Sequence, residues 1–393
     1  MFDASGPRSE GGRFVAIGAL CGLTWAASLR GWRVELAAGE STSSLTWLTF
    51  ALLLVPGLAI GVLLGWSAYL RSTGMRGPRW LIFAPALLAS TLLDPDIFST
   101  FIHTGEAGGS LMMAVTALAG GFVLSRRRWS VAGATCALVA LLGLVLVGFI
   151  GTMAAPLSTA RVAWVCLYGL TLVLLLCLAS VLPYRPVRPP RGAASWAALG
   201  ALGGLAWACA LRSFMAAVAG DDSGVDWGLT FGYILLPGAV IGGLLGWAEF
   251  LRRHRDGPRR RRLAYAPLLF AAVLLPGLLH PESFLAGGIG GGAIGVPVIA
   301  MLGGFAISGR GPAWGRALAG LGFTAGFVVW LLVAVPVGGE SFALDTPHGL
   351  WVSVLYESLL VTFALAASVP HRPTARRAAP VPAALQIGIT EAP

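Results

Sequence analysis

Leu54–Arg71 reads LVPGLAIGVLLGWSAYLR, and Leu235–Arg252 reads LLPGAVIGGLLGWAEFLR. Eleven of the eighteen positions are identical, where two unrelated apolar windows share about two. Both stretches are apolar, carry no charge before their last turn, and are long enough to cross a bilayer as a helix. The chain therefore reads as a duplicated polytopic membrane protein.

Working outward, the correspondence covers nearly the whole chain. Gly18-Ala-Leu-Cys-Gly-Leu-Thr-Trp25 matches Gly200-Ala-Leu-Gly-Gly-Leu-Ala-Trp207. Trp47, Trp66, Trp129 and Trp164 pair with Trp227, Trp247, Trp314 and Trp351. Gly120-Gly121-Phe122 pairs with Gly303-Gly304-Phe305, and Tyr184-Arg-Pro186 with His371-Arg-Pro373. The first apolar run has a basic lead-in like a signal peptide, but its copy lies deep inside the chain, so it reads as a retained helix. Two six-helix membrane repeats follow, residues 14–186 and 194–373, joined by a Pro/Arg linker at 187–193. Residues 1–13 and the Ala/Pro-rich 374–393 read as disordered. The expected helices lie near 14–29, 47–70, 80–96, 109–125, 130–154 and 161–182, then 194–218, 228–251, 263–279, 285–308, 313–337 and 349–370. The fold class is thus all-α, with about twelve spans as two parallel tandem repeats about an axis along the membrane normal.

Composition agrees. Of 393 residues 56% are hydrophobic and 11% charged, with a mean hydropathy of +0.80. So few charges cannot wet a soluble surface. The net charge of +10 comes from Arg alone, since the chain has no Lys. The arginines sit in short loops between apolar runs, so they read as orientation signals rather than a nucleic-acid surface. An all-Arg basic set with abundant Ala and Gly points to a high-GC bacterial genome.

Arg placement sets the orientation. Arg71, Arg76 and Arg79, Arg126–Arg128, Arg185, Arg188 and Arg191, Arg252–Arg262, and Arg310 and Arg316 fall on one side if each half has six spans. Acidic residues such as Glu35, Asp94, Asp96, Asp226, Glu282 and Glu340 fall on the other. By the positive-inside rule both termini are cytoplasmic and the chain lies in the cytoplasmic membrane. Arg30, Arg33, Arg161 and Arg212 break the rule. Trp47, Trp227, Trp164 and Trp351 are expected at the outer interface, and Trp66, Trp247, Trp129 and Trp314 at the inner one.

Candidate chemistry is sparse. Gly57, Gly61 and Gly65, and their copies Gly238, Gly242 and Gly246, line one helix face with hydrogen atoms and mark packing faces. Pro56 and Pro237 are expected to kink those helices. The third helices are interrupted by Pro85 and by Pro267 and Pro276, and end in polar turns carrying Asp94 and Asp96, and His280 and Glu282. Short, Pro-interrupted segments at matching places point to a transporter site, though the same residues serve as helix stops. Glu357 is the one carboxylate well inside an expected span, roughly 12 Å deep. It is a candidate coupling group, or a protonated Glu bonded to Ser353. Matching Leu167-Tyr168 to Leu355-Tyr356 sets Gly169 opposite it. Arg30 and Arg212 end the first helix of each half; they can bind an anionic substrate group, pair with Glu357, or snorkel to lipid phosphates. Glu249 is an expected partner of Arg252 or Arg253. The glycine run Gly287–Gly295 reads as close packing or a cavity-lining segment. The five Cys lie in apolar runs without a CxxC pair, and the five His lack ligand spacing, so no metal, cofactor or catalytic residue is assigned.

The six-plus-six layout with parallel halves resembles the major facilitator superfamily. That family's Gly–Asp–Arg-rich signature between helices two and three is missing from Arg71–Arg79 and Arg252–Arg262. Asp94-Pro95-Asp96 resembles the acidic motif of polytopic glycosyltransferases. The chain also looks like multi-pass membrane proteins of high-GC bacteria. Three functions follow in order: a secondary transporter of a small molecule or ion, a non-catalytic scaffold, assembly or sensor module with a membrane-protein partner, and an enzyme on lipid-linked substrates. The bilayer is the one partner common to all three.

Overall fold

The computed structural model describes residues 7–37, 45–104, 109–126, 130–153, 158–184, 192–220, 223–254, 258–275 and 290–373. Among these there is no strand. The α-helices are α1 (Pro7–Ala37), α2 (Val55–Ser72), α3 (Pro95–Thr104), α4 (Gly109–Ser125), α5 (Val131–Met153), α6 (Thr159–Ala179), α7 (Ala193–Ala219), α8 (Leu236–His254), α9 (Pro258–Arg262), α10 (Gly290–Ile307), α11 (Ala313–Gly338) and α12 (Pro347–Ala367). Eight helical stretches are long and apolar enough to cross a membrane, or nine if one bent pair counts as a span. The chain is an all-helical protein of polytopic membrane type. The first helix starts at Pro7, earlier than expected, so residues 7–13 are helical.

The glycine faces pack as their spacing predicts, helix against helix with almost nothing between. A methyl group built on Gly61 would run into the carbonyl of Gly18, and one on Gly57 into the Cβ of Ala26. In the other half a methyl on Gly242 meets the carbonyl of Gly200, and one on Gly238 meets Ala208. Gly65 and Gly246 complete the rows against the carbonyls of Phe14 and Trp196. Thus α1 with α2 and α7 with α8 are the two tightest helix pairs, and the same contacts recur at matched positions. Lipid tails are as apolar as Leu, so close backbone approach supplies the dispersion energy that water would otherwise provide.

Proline reshapes the entry to α2 and α8. Pro56 has no N–H to give the carbonyl of Leu52, and its ring crowds that carbonyl. A π-helical turn, Phe50–Leu54, widens the backbone there. The Ser90 hydroxyl donates to the freed Leu52 carbonyl at 2.9 Å. In the second half a longer π-helix, Trp227–Leu235, precedes Pro237.

The third segment of each half departs from the expected α-helix. Arg79–Leu93 and Leu263–Leu274 are 3-10 helices of 15 and 12 residues. Such runs rarely exceed four residues. Their buried residues are Leu81, Ala84, Pro85, Leu88 and Thr91 in the first, and Ala264, Ala266, Pro267 and Phe270 in the second. The first 3-10 helix bends by 95° into α3 after Leu93, and α3 exposes Phe98 and Ile102.

The first and last helices of each half, α1, α6, α7 and α12, meet at the centre of the molecule. Indole and phenol donors stitch them: Trp25 Nε1 to the Leu172 carbonyl at 2.9 Å, Trp32 Nε1 to Val165 at 2.8 Å, and Tyr168 Oη to Ser28 at 2.7 Å. Trp207 Nε1 donates to Leu359 at 2.9 Å, and Trp351 Nε1 to Ala27 at 3.1 Å. Trp164 and Trp351 are therefore core residues, 0% and 1% exposed, and not interface anchors as their position near a helix end suggested. Trp47, Trp227 and Trp314 do stand exposed. On the periphery, α5 turns Leu138, Leu141, Leu142 and Val145 outward, and α11 turns out Leu318, Leu321, Val329 and Leu332. Rows of this kind suit lipid and not water.

Candidate functional site

Arginines that break the expected orientation rule converge at one end of the central junction. Arg161, on the first turn of α6, bonds Glu35 of α1 through its NH2 at 2.8 Å. Arg212 of α7 acts electrostatically on both, and its guanidinium lies 5.3 Å from the ring centre of Trp164. Its NH groups donate to the Ser223 hydroxyl at 3.1 Å and to the Gly224 carbonyl. Arg212 is 5% exposed and Glu35 4%. Arg30 is as deeply buried and lies within electrostatic reach of Arg33 and His348. Arg33 in turn donates to the Ser110 hydroxyl at 3.4 Å, and that hydroxyl shares a hydrogen bond of 2.6 Å with Thr91.

Two N–H donors in this cluster are buried without an acceptor among the described residues: Arg161 Nε and Trp164 Nε1. They stand three residues apart on α6, on one face. The contrast with α12 is informative. Trp351 occupies the matching position and its indole N–H is satisfied by Ala27. Buried indole N–H groups usually find a partner, so Trp164 and Arg161 together offer two hydrogen bonds toward an acceptor, beside two guanidinium charges.

Arg30 and Arg212 thus fall in one region, but Glu357 does not join them. Both Glu357 oxygens are buried with no hydrogen-bond partner among the described residues. The expected link to Ser353 is not made; the Ser353 hydroxyl instead accepts from Trp330 Nε1 at 3.1 Å. The junction contacts also move the register by one. Leu172 and Leu359 accept from matching tryptophans, and with Trp164 and Trp351 they set Leu170, rather than Gly169, opposite Glu357. Asp94 Oδ1 accepts the N–H of Asp96 at 3.1 Å, and its carbonyl accepts from Phe98 at 2.8 Å. It caps the start of α3, the helix-stop role that the turn residues allow. His280 and Glu282 lie outside the described residues, as do linker residues 187–191, the tail beyond Pro373 and the start of the Gly287–Gly295 run; the last linker residue, Ala193, already opens α7. Glu249 binds Arg252 and Arg253 at 2.6 Å each, as its spacing predicts. No group of three metal-ligating side chains occurs among the described residues, and the five Cys are free.

Toward the opposite end the same junction holds an apolar cavity of about 580 Å³. Its walls include Gly18, Gly22, Trp25, Leu176, Trp207 and Leu359, drawn from both halves. Ser28, whose carbonyl accepts from Tyr168 Oη, also lines it. The sequence signal for this site was the four misplaced arginines; Trp164 and Tyr168 carried none, since buried aromatics in a span look like ordinary packing. No protein-family model, curated protein or solved structure matches the chain.

Proposed function

We propose that the protein is a secondary transporter of a small organic anion, built from two head-to-tail six-helix halves in the cytoplasmic membrane with both termini inside. The observation that carries this reading is the cluster of buried Arg212, Glu35 and Trp164 with half-buried Arg161 at the junction of the halves. Charge inside a span is costly and is kept where it does a task. A site at the interface between two similar halves is where rocking of one half against the other changes access. The matched glycine contacts of α1–α2 and α7–α8 support duplication. The 3-10 geometry supports a crossing by the first of these segments: at about 2.0 Å per residue its fifteen residues reach roughly 30 Å, the hydrocarbon thickness, while the twelve of the second reach about 24 Å. As an α-helix the first would reach only about 22 Å. Glu357, alone on α12, is the coupling proton carrier.

The test uses proteoliposomes containing the full chain and a panel of carboxylate and phosphate-bearing anions, with an entrapped pH dye. Anion uptake with acidification, lost in Glu357→Gln and in Arg212→Gln, supports the reading. Uptake unchanged by Glu357→Gln removes the coupling role, and no uptake across the panel removes the transporter. The second reading is a non-catalytic membrane module. It is favoured by the apolar walls of the central cavity, and stoichiometric crosslinking to a membrane partner without transport selects it.

A further inference from the structure

A second cavity, of about 550 Å³, opens at the opposite end of the molecule from the arginine cluster. It lies between the second 3-10 helix, α10 and Pro370–His371 just after α12. Its deeper wall is apolar, with Val298, Met301, Leu302 and Phe305 of α10. Its rim is basic, with Arg261 and Arg310. Arg260 and Arg310 are close enough to His371 to act on it electrostatically. No carboxylate lines the cavity. Glu249, at the same end of α8, is already held by Arg252 and Arg253. Tyr265 also lines it and is 65% exposed.

The first half is built differently at the matching place. Phe122 packs edge-on against Tyr184 as Phe305 does against His371, but Arg126 lies over the Phe122 ring at 4.1 Å. Where the second half carries Arg259–Arg262, the first has Arg79-Trp80, and Trp80 packs on Trp66. One half thus ends in an aromatic contact and the other in a basic pocket with an apolar floor.

We propose that this pocket binds one anionic phospholipid from the adjoining leaflet. The phosphate meets Arg261 and Arg310, and the first part of an acyl chain lies along Val298, Met301 and Leu302. Charge complementarity selects the headgroup, since basic pockets between membrane helices hold anionic lipid phosphates. The apolar wall selects a lipid over a free phosphate. The site is independent of whether the protein transports anything.

The test is native mass spectrometry and thermal melting of the purified full chain with dioleoyl phosphatidylglycerol, dioleoyl phosphatidylcholine or inorganic phosphate. Phosphatidylglycerol should stay bound and raise the melting temperature, while the other two do neither. Arg261→Gln with Arg310→Gln should weaken that binding by about tenfold or more, and Arg76→Gln with Arg79→Gln should not. Val298→Trp, which fills the cavity and keeps every charge, should also lose the lipid; it serves if the double variant fails to fold. Equal binding of both lipids overturns the proposal. So does an equal shift with inorganic phosphate, or retention by Val298→Trp of wild-type binding.

Discussion

Gly242 and Gly243 are neighbours on α8, and alanine at the two positions should act in opposite directions. A methyl on Gly242 meets the Gly200 carbonyl, with Gly204 Cα at 2.8 Å and Gly204 N at 2.9 Å. These are backbone atoms of α7, so neither can move without moving the helix. Overpacking of this kind costs about 1–3 kcal/mol. Alanine also gains roughly 0.8–1.0 kcal/mol of helix propensity over glycine, so the net loss should be up to about 2 kcal/mol. At Gly243 the nearest atoms are the Ala197 carbonyl at 3.5 Å and Ala201 Cβ at 3.7 Å. That is ordinary contact, so the helix gain stands alone and Gly243→Ala should be neutral or stabilising by up to about 1 kcal/mol. Unfolding of each variant in mixed micelles, followed by tryptophan fluorescence, reads both. Gly61→Ala, which meets Gly18 in the same way, should match Gly242→Ala. Equal effects at Gly242 and Gly243, or a neutral Gly61→Ala beside a costly Gly242→Ala, refute the close-packing argument.

Further outcomes follow from the junction. Trp25→Phe and Trp207→Phe each lose one hydrogen bond to a carbonyl across the junction, so each should cost about 1 kcal/mol in the same unfolding assay. Glu35→Gln alone leaves Arg161 without its carboxylate; because Arg161 is a quarter exposed, the loss should be roughly 1–3 kcal/mol. Adding Arg161→Gln should recover part of it, a coupling that a double-mutant cycle measures. Ser90→Ala removes the one side-chain donor to the Leu52 carbonyl and should cost about 1 kcal/mol, with no change in labelling of the flanking loops.

The glycine faces were legible in the sequence because a four-residue glycine spacing admits little besides close helix contact. The arginines were legible as anomalies, since a charge on the wrong side of a span demands a reason. The 3-10 segments were not legible as such. Pro85 and Pro267 announced an interruption, but an apolar run with one proline fits a kinked α-helix as well as a tighter one. Tertiary contact with α2 and α4, and Ser90 reaching Leu52, decide between them. Trp164 and Trp351 were misplaced because a tryptophan one turn from a helix end fits an interface anchor; the neighbouring half, which covers both rings, is invisible to local pattern. The start of α1 was missed because Pro7–Gly12 is polar, although Pro at a first turn favours helix.

Thiol labelling by a membrane-impermeant reagent, in a variant with the five native cysteines replaced, is the most direct test of the twelve-span, two-half architecture. Thr73→Cys, Arg126→Cys and Arg310→Cys should label from one side of the membrane, and Asp96→Cys and Glu340→Cys from the other. Labelling of Thr73→Cys and Asp96→Cys from the same side would mean that the fifteen-residue 3-10 helix turns back without crossing. Labelling of Arg126→Cys and Arg310→Cys from opposite sides would mean that the halves are not parallel.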